Sequence, residues 1–497
     1  MNTSRASKVI ALSLGGALTA VVGLLSTMVL ARVLTKSDYA TYRQTMLAYQ
    51  FAEPLLTLAL PMALYYFLPL SSNRERGVLL DNIALLTLLA SVFTLFLFFG
   101  GNNLLALRFD NPALSSSLRW LIPYPLFVMP ASIVSAVMVV KGRTTLLSVY
   151  NVTSRLLLGV LVIGSSLVWR NHLAPVISQV VWAGVMLPIA LTMAFSSVSK
   201  GASGLRLTMM LSMIKYSVPL GLSTMLGTVT LQLDKMIVSL LCSPEEFAVY
   251  ANGAVEIPLV GVITGSIAAV ILADMTVACR NGSYTEALEL FRKAAIRSGM
   301  ILLPISVFLF LHARDFILIL FSAKYSGSVL PFRIFLFILP VRIVFFGSAL
   351  MALGMTSSIM WRSAGSLVLN SVLCYLFVTW FGYIGAAVAL VLTIYLWSVP
   401  YNLRLIAMGF TCRYTSVLPV RQLLSIFLVG LVAGLLSCIR FLLPLDWPIA
   451  SFGVALLVFG SAYVMIATYV FPEWMSYGKA LLKHHLRPRA GAVTSRA

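Results

Sequence analysis

Apolar runs of roughly twenty residues recur along almost the whole chain, separated by short polar turns. A bilayer core takes about 20 apolar residues per helix, so the pattern predicts an all-α, polytopic integral membrane protein with about fourteen transmembrane helices. They lie between residues 9 and 471. The first run, Val9 to Ala31, is too long for a signal-peptide core and reads as a retained span. An even count leaves both termini on one side. Assigning that side to the cytoplasm puts the larger share of the 35 Lys and Arg residues inside, as expected for loops next to spans.

The runs also repeat. Leu231 to Glu256 echoes Gly23 to Ala48 at a constant offset, pairing Leu25 with Leu233, Met28 with Met236, Ala40 with Ala248 and Tyr42 with Tyr250. Asp38 and Tyr39 fall on Glu246 and Phe247. Each copy is an apolar run, a short acidic turn and a second run containing aromatics. Such a repeat predicts two related six-helix lobes, with substrate handled where they face each other. The divisions expected are 1–205 for spans one to six, 206–412 for spans seven to twelve, and 413–497 for two extra C-terminal helices and a basic cytoplasmic tail. Both lobes start on the same side, so a pseudo-twofold axis along the membrane normal is expected.

Composition changes this picture little. With 60% hydrophobic residues, 10% charged and a mean hydropathy of +0.98, no soluble domain is hidden in the chain. The net charge of +20 is spread among loops, which fits topology and anionic lipid rather than nucleic acid. Five scattered cysteines contain no CxxC pair and imply neither a disulfide framework nor a metal site. His484 and His485 belong to the solvated tail. The segment from Arg280 to Arg297 predicts a short cytoplasmic helix, with Ser283 and Glu286 spaced as a capping box.

The candidate chemistry lies in polar residues placed where lipid should be, because an ionisable group mid-membrane is costly and faces a cavity or a partner. Arg342, near the middle of span ten, has no neighbour in sequence able to neutralise it, so its partner is on another helix or is an anionic ligand. Span seven carries Thr224, Thr228, Gln232, Lys235, Ser239 and Cys242 on one face, with Asp234 about a quarter-turn away. Span two carries Arg43, Gln50, Glu53 and Thr57, and span eight carries Asn252 and Glu256. Arg155 and Lys215 lie near enough to a boundary to snorkel. Gly16, Thr19, Gly23 and Ser26 form a small-residue seam on span one, suited to close helix packing. Pro54, Pro61 and Pro258 interrupt spans two and eight.

The passages ARVLTKSDYATYRQT and LDKMIVSLLCSPEEFAVYANGA resemble the paired signatures of the Wzx-like polysaccharide (O-antigen and exopolysaccharide) flippases of the MOP exporter superfamily. Arg32, Asp38, Tyr39 and Ala40 match the first signature; Leu233, Asp234, Lys235, Glu246, Phe247 and Tyr250 match the second. Ala40 and Ala248 stand where the family commonly has glycine. The resemblance implies a V-shaped fold like that of MATE and MurJ transporters and a flippase that moves undecaprenyl-diphosphate-linked sugar units across the inner membrane. A diphosphate needs cations, for which Arg342, Lys235 and Arg43 are the candidates, with Gln232 and Gln50 beside them. Glu53, Asp234 and Glu256 are the candidates for coupling to an H+ or Na+ gradient, and no other cofactor and no metal is expected. No GxxxxGK[ST] loop exists to draw on a nucleotide. The expected partners are the lipid-linked oligosaccharide, membrane lipids and the polysaccharide polymerase and export machinery.

A MATE-type drug or cation antiporter and a lipid II flippase share the expected fold and are the alternatives. A membrane glycosyltransferase or polymerase fits less well, because the longest expected outer loops, near Gly100 to Ser117 and His312 to Ser328, are short and contain no DxD pair.

Overall fold

The computed structural model describes residues 3–255, 257–442 and 447–472. Glu256, a candidate coupling residue, and the C-terminal tail with His484 and His485 lie outside the described residues. The described chain is helical from end to end. Its long segments, in order, are α1 (Thr3–Val33), α2 (Lys36–Leu70), α3 (Glu75–Arg108), α4 (Pro112–Leu121 with Tyr124–Val140), α5 (Thr144–Trp169), α6 (Leu173–Ser196) and α7 (Leu207–Leu241). Then follow α8 (Pro258–Arg280), α9 (Tyr284–Leu311), α10 (Ala323–Ala352), α11 (Thr356–Phe381), α12 (Tyr383–Gly409), α13 (Val420–Arg440) and α14 (Pro448–Val470).

Among the described residues, 11 helices are long and apolar enough to cross a membrane, or 12 if α4, bent by 49°, counts as one span. The expected fourteen is not confirmed by that measure. Large apolar side chains such as Leu88, Phe99, Val168, Trp380 and Tyr469 point outward, more than 60% exposed. In water such a surface would be an aggregation liability; in a bilayer it is the lipid contact.

The sequence repeat is expressed as two matching helix starts. Thr35 caps α2, its hydroxyl accepting from the Asp38 amide at 3.0 Å. Ser243 does the same for the short helix Pro244–Gly253: its hydroxyl accepts from the Glu246 amide at 3.3 Å, and the Ser243 amide returns a bond to Glu246 at 3.0 Å. Each cap satisfies an amide that the first turn leaves without a partner. The capping box expected at Ser283 and Glu286 does not form, and there is no separate short helix. Gly282, at φ +75°, turns the chain so that the Ser283 amide closes the end of α8 on Ala278, and α9 then runs unbroken from Tyr284 into the span.

Three segments are broken where the pattern reads as continuous. Leu58 and Ala59 in α2 both take left-handed backbone, just before Pro61, and Gly221 of α7 packs on that elbow. The short helix Pro244–Gly253 ends before α8, whose first residue is Pro258. In α10 the helix stops after Arg342 and restarts at Phe346. Irregular backbone at such depth survives only where it lines a cavity or is covered by protein.

The largest core cluster joins Leu30, Leu34 and Tyr39 to Ile317, Phe321, Tyr325 and Phe332 of the second half, so the halves are closed against each other at the end bearing residues 35 and 243. At that end the buried Tyr39 hydroxyl donates to Asn252 Oδ1 at 2.6 Å, and its ring meets Tyr325 edge-on at 5.6 Å. Lys324 donates to the carbonyls of Arg32 and Leu34, and Arg32 to that of Ile319. At the opposite end Asp81 pairs with Arg74 at 2.8 Å and accepts from the Arg206 amide, which fastens the linker between halves. The C-terminal pair α13 and α14 pack on α9 and on Ala313–Phe321, held by a buried Arg440–Asp315 ion pair, the His312–Ser437 hydrogen bond and the Tyr463 bond to the Met300 carbonyl.

Candidate functional site

The second half of α7 is the hub. Its neighbours are α2 from the first half and α11, α12 and the short helix Pro244–Gly253 from the second. Consecutive residues on a helix point about 100° apart, and this separates Asp234 from Lys235. Asp234 is 2% exposed and accepts a 2.5 Å hydrogen bond from the Tyr250 hydroxyl. Lys235 instead reaches back one turn, donating to Gln232 at 3.3 Å, and lines two cavities.

The first cavity, about 620 Å³, lies among α7, α8, α10, α11 and α12. Lys235, Arg342 and Arg362 are its cations, and Asp234 is its carboxylate among the described residues; the remaining wall is mostly apolar. Arg342 sits at the end of the four-residue helix Leu339–Arg342, where α10 is broken. Arg362 carries its neighbour Ser363 as a hydrogen-bond acceptor at 3.2 Å, while its own carbonyl accepts from Trp397 Nε1 at 3.0 Å.

The second cavity, about 280 Å³, lies between the halves, walled by α1, α2, α5, α6 and α7. Its cations are Arg43, Arg155 and again Lys235, with Gln50, Tyr42 and Gln179 among its polar walls. Arg43 stacks over the Tyr39 ring at 5.8 Å and donates to the Ala251 carbonyl at 3.4 Å. Arg155 lies along α1 where Gly23 leaves room: a Cβ there would stand 2.7 Å from its guanidinium. The seam on α1 therefore serves α5, with Gly15 rather than Gly16 facing it; nothing lies within 4 Å of a Cβ at Gly16.

Of the residues singled out by sequence, the structure thus brings Lys235, Arg342 and Asp234 to one cavity and Lys235, Arg43 and Gln50 to the other. Gln232 lines neither and acts as the acceptor for Lys235. Glu53 lines neither as well; it is half-buried in α2, and its carbonyl accepts from the Thr57 hydroxyl. Arg362 was missed. Its signal was a lone arginine nearly two turns inside an otherwise uncharged run, TSSIMWRSAGSLVLN, of the kind that drew notice to Arg342. Arg155, read as a snorkelling boundary residue, also stands in the wall of the inter-lobe cavity.

The sequence of residues 29–330 matches the model of a family described as polysaccharide biosynthesis protein. No curated protein matches the chain in sequence. In fold the chain is similar to the lipid II flippase MurJ in its inward closed conformation, at 14% identity and a TM-score of 0.76, covering 94% of this chain and 100% of that one. It is also similar to a multidrug resistance MATE family transporter of the MOP superfamily in an inward-facing conformation, at 13% identity and TM-score 0.63, covering 80% and 95%. A third similar structure is a MOP superfamily transporter from Pyrococcus furiosus, at 12% identity and TM-score 0.58, covering 82% and 96%.

Proposed function

The chain belongs to the polysaccharide biosynthesis protein family, and from that membership we propose that it is a flippase carrying undecaprenyl-diphosphate-linked oligosaccharide across the bacterial inner membrane by alternating access. The observation that carries this reading is the placement of cations. Lys235 stands in the wall of both cavities, with Arg342 and Arg362 in one and Arg43 and Arg155 in the other. A diphosphate bound away from bulk water needs such a set, arginine offering a planar fork and lysine a mobile point charge. The polyprenyl tail has no need of a pocket, since it can stay in lipid beside the protein. With both termini cytoplasmic, the end closed by Tyr39 and Asn252 is the outer one.

The reading assigns transport rather than catalysis, with energy from an H+ or Na+ gradient felt at carboxylates such as Asp234, and delivery of the sugar unit to a polymerase on the outer face. A MATE-type antiporter of cationic drugs is disfavoured by the same cations, which would repel such a substrate. The test is export of surface glycan in cells whose only copy is a variant. Arg342→Ala is expected to accumulate in the membrane and lose export, and Arg342→Lys to keep part of it because the charge survives without the fork. Wild-type export from a stably inserted Arg342→Ala protein would overturn the assignment of that residue, and the same result for Lys235→Ala would overturn the reading itself.

A further inference from the structure

A third cavity, about 520 Å³, opens within the first half among α1, α4, α5 and α6, adjoining the inter-lobe cavity through Arg155 and Trp182, which line both. Its volume is in the range of about 300–1,000 Å³ that small-molecule sites occupy. The chemistry of its wall differs from that of the other two. Among the described residues that line it, Arg155 is the one charged group; hydroxyls and an amide supply most of the rest of its polar surface, among them Thr19, Ser135, Ser148 and Asn151. Trp182 donates its indole N–H to the Ser154 carbonyl at 2.9 Å, which fixes the ring in the wall.

An aromatic ring beside uncharged donors and acceptors suits a ligand that is apolar on its C–H faces and studded with hydroxyls at its edge. We infer that this cavity receives uncharged sugar residues of the lipid-linked substrate, with Arg155 at its mouth holding the adjacent phosphate. The inference rests on the flippase reading and deepens it: the head group is divided between a neutral pocket for sugar and a cationic passage for diphosphate. A carboxylated sugar has one countercharge in the pocket, Arg155, and that group is committed to phosphate.

Binding to the full-length protein in nanodiscs tests this, with two probes: undecaprenyl diphosphate bearing N-acetylglucosamine, and undecaprenyl diphosphate alone. The wild type is expected to bind the sugar-bearing lipid about tenfold more tightly, the worth of one or two hydrogen bonds. Asn151→Leu combined with Ser135→Val should bring that affinity down to the level of the bare lipid. Gly16→Leu adds apolar bulk to the cavity wall at a position where a Cβ meets nothing within 4 Å; it keeps the test valid if the double variant misfolds, and it should do the same. Equal wild-type affinity for both probes overturns the sugar pocket and leaves the flippase reading standing. Failure of the wild type to bind either probe removes both. An equal loss for both probes in Gly16→Leu puts the polyprenyl tail in the cavity and overturns the inference.

Discussion

Replacing Tyr39 with Phe should loosen the closed end of the protein. Tyr39 is 0% exposed and Asn252 1%, and their 2.6 Å hydrogen bond joins the start of α2 to the short helix Pro244–Gly253, the two repeat-related elements, across the halves. Phe keeps the ring and its edge-on contact with Tyr325, so little packing is lost. What goes is one buried hydrogen bond, leaving Asn252 Oδ1 without its donor, a penalty of about 1–3 kcal/mol. In the open state Asn252 can meet water, so the penalty falls on the closed state alone. At 1.4 kcal/mol per tenfold, the closed-to-open ratio should fall by roughly 5- to 140-fold. Single-molecule energy transfer between dyes on Ser37→Cys and Glu245→Cys, both exposed, reads that ratio in a background lacking the five native cysteines. Asn252→Leu should shift it in the same direction, and the double variant should be less than additive. An unchanged ratio in Tyr39→Phe would refute the view that this bond holds the end shut.

Three further outcomes are expected. Asp234→Asn should stay folded, because an amide oxygen still accepts from Tyr250, yet export should lose its dependence on the ion gradient; unaltered dependence in a transport assay would remove Asp234 from coupling. Gly221→Ala should lower thermal stability by about 1–3 kcal/mol, since its Cβ would fall 2.6 Å from the Leu58 backbone at the elbow of α2, where no flexible side chain can yield. Arg440→Met should cost about 3–5 kcal/mol by leaving Asp315 with His312, 3.9 Å away, as its remaining partner among the ion pairs of the described residues; a melting curve matching the wild type would show that α13 and α14 do not depend on this pair.

Much of the architecture was legible in the sequence because a bilayer leaves the chain few choices. Apolar runs of span length had to be helices, and each internal turn had to be short and polar. The repeat of Asp38 and Glu246 was visible as well, and it marked two real helix starts, since a cap needs only residues three apart. Capping at Ser283 failed for a reason the same spacing cannot show: Gly282 had already committed the Ser283 amide to the preceding helix. Local pattern could also say that Arg342 and Lys235 were out of place in lipid. It could not say that they share a cavity with Arg362, or that Lys235 faces Arg43 and Arg155 on its other side. Those groupings come from helices far apart in the chain. They depend on where α10 breaks, on how α7 lies between the halves, and on a glycine in α1 that lets α5 bring its arginine close, and these packing choices belong to the tertiary structure alone.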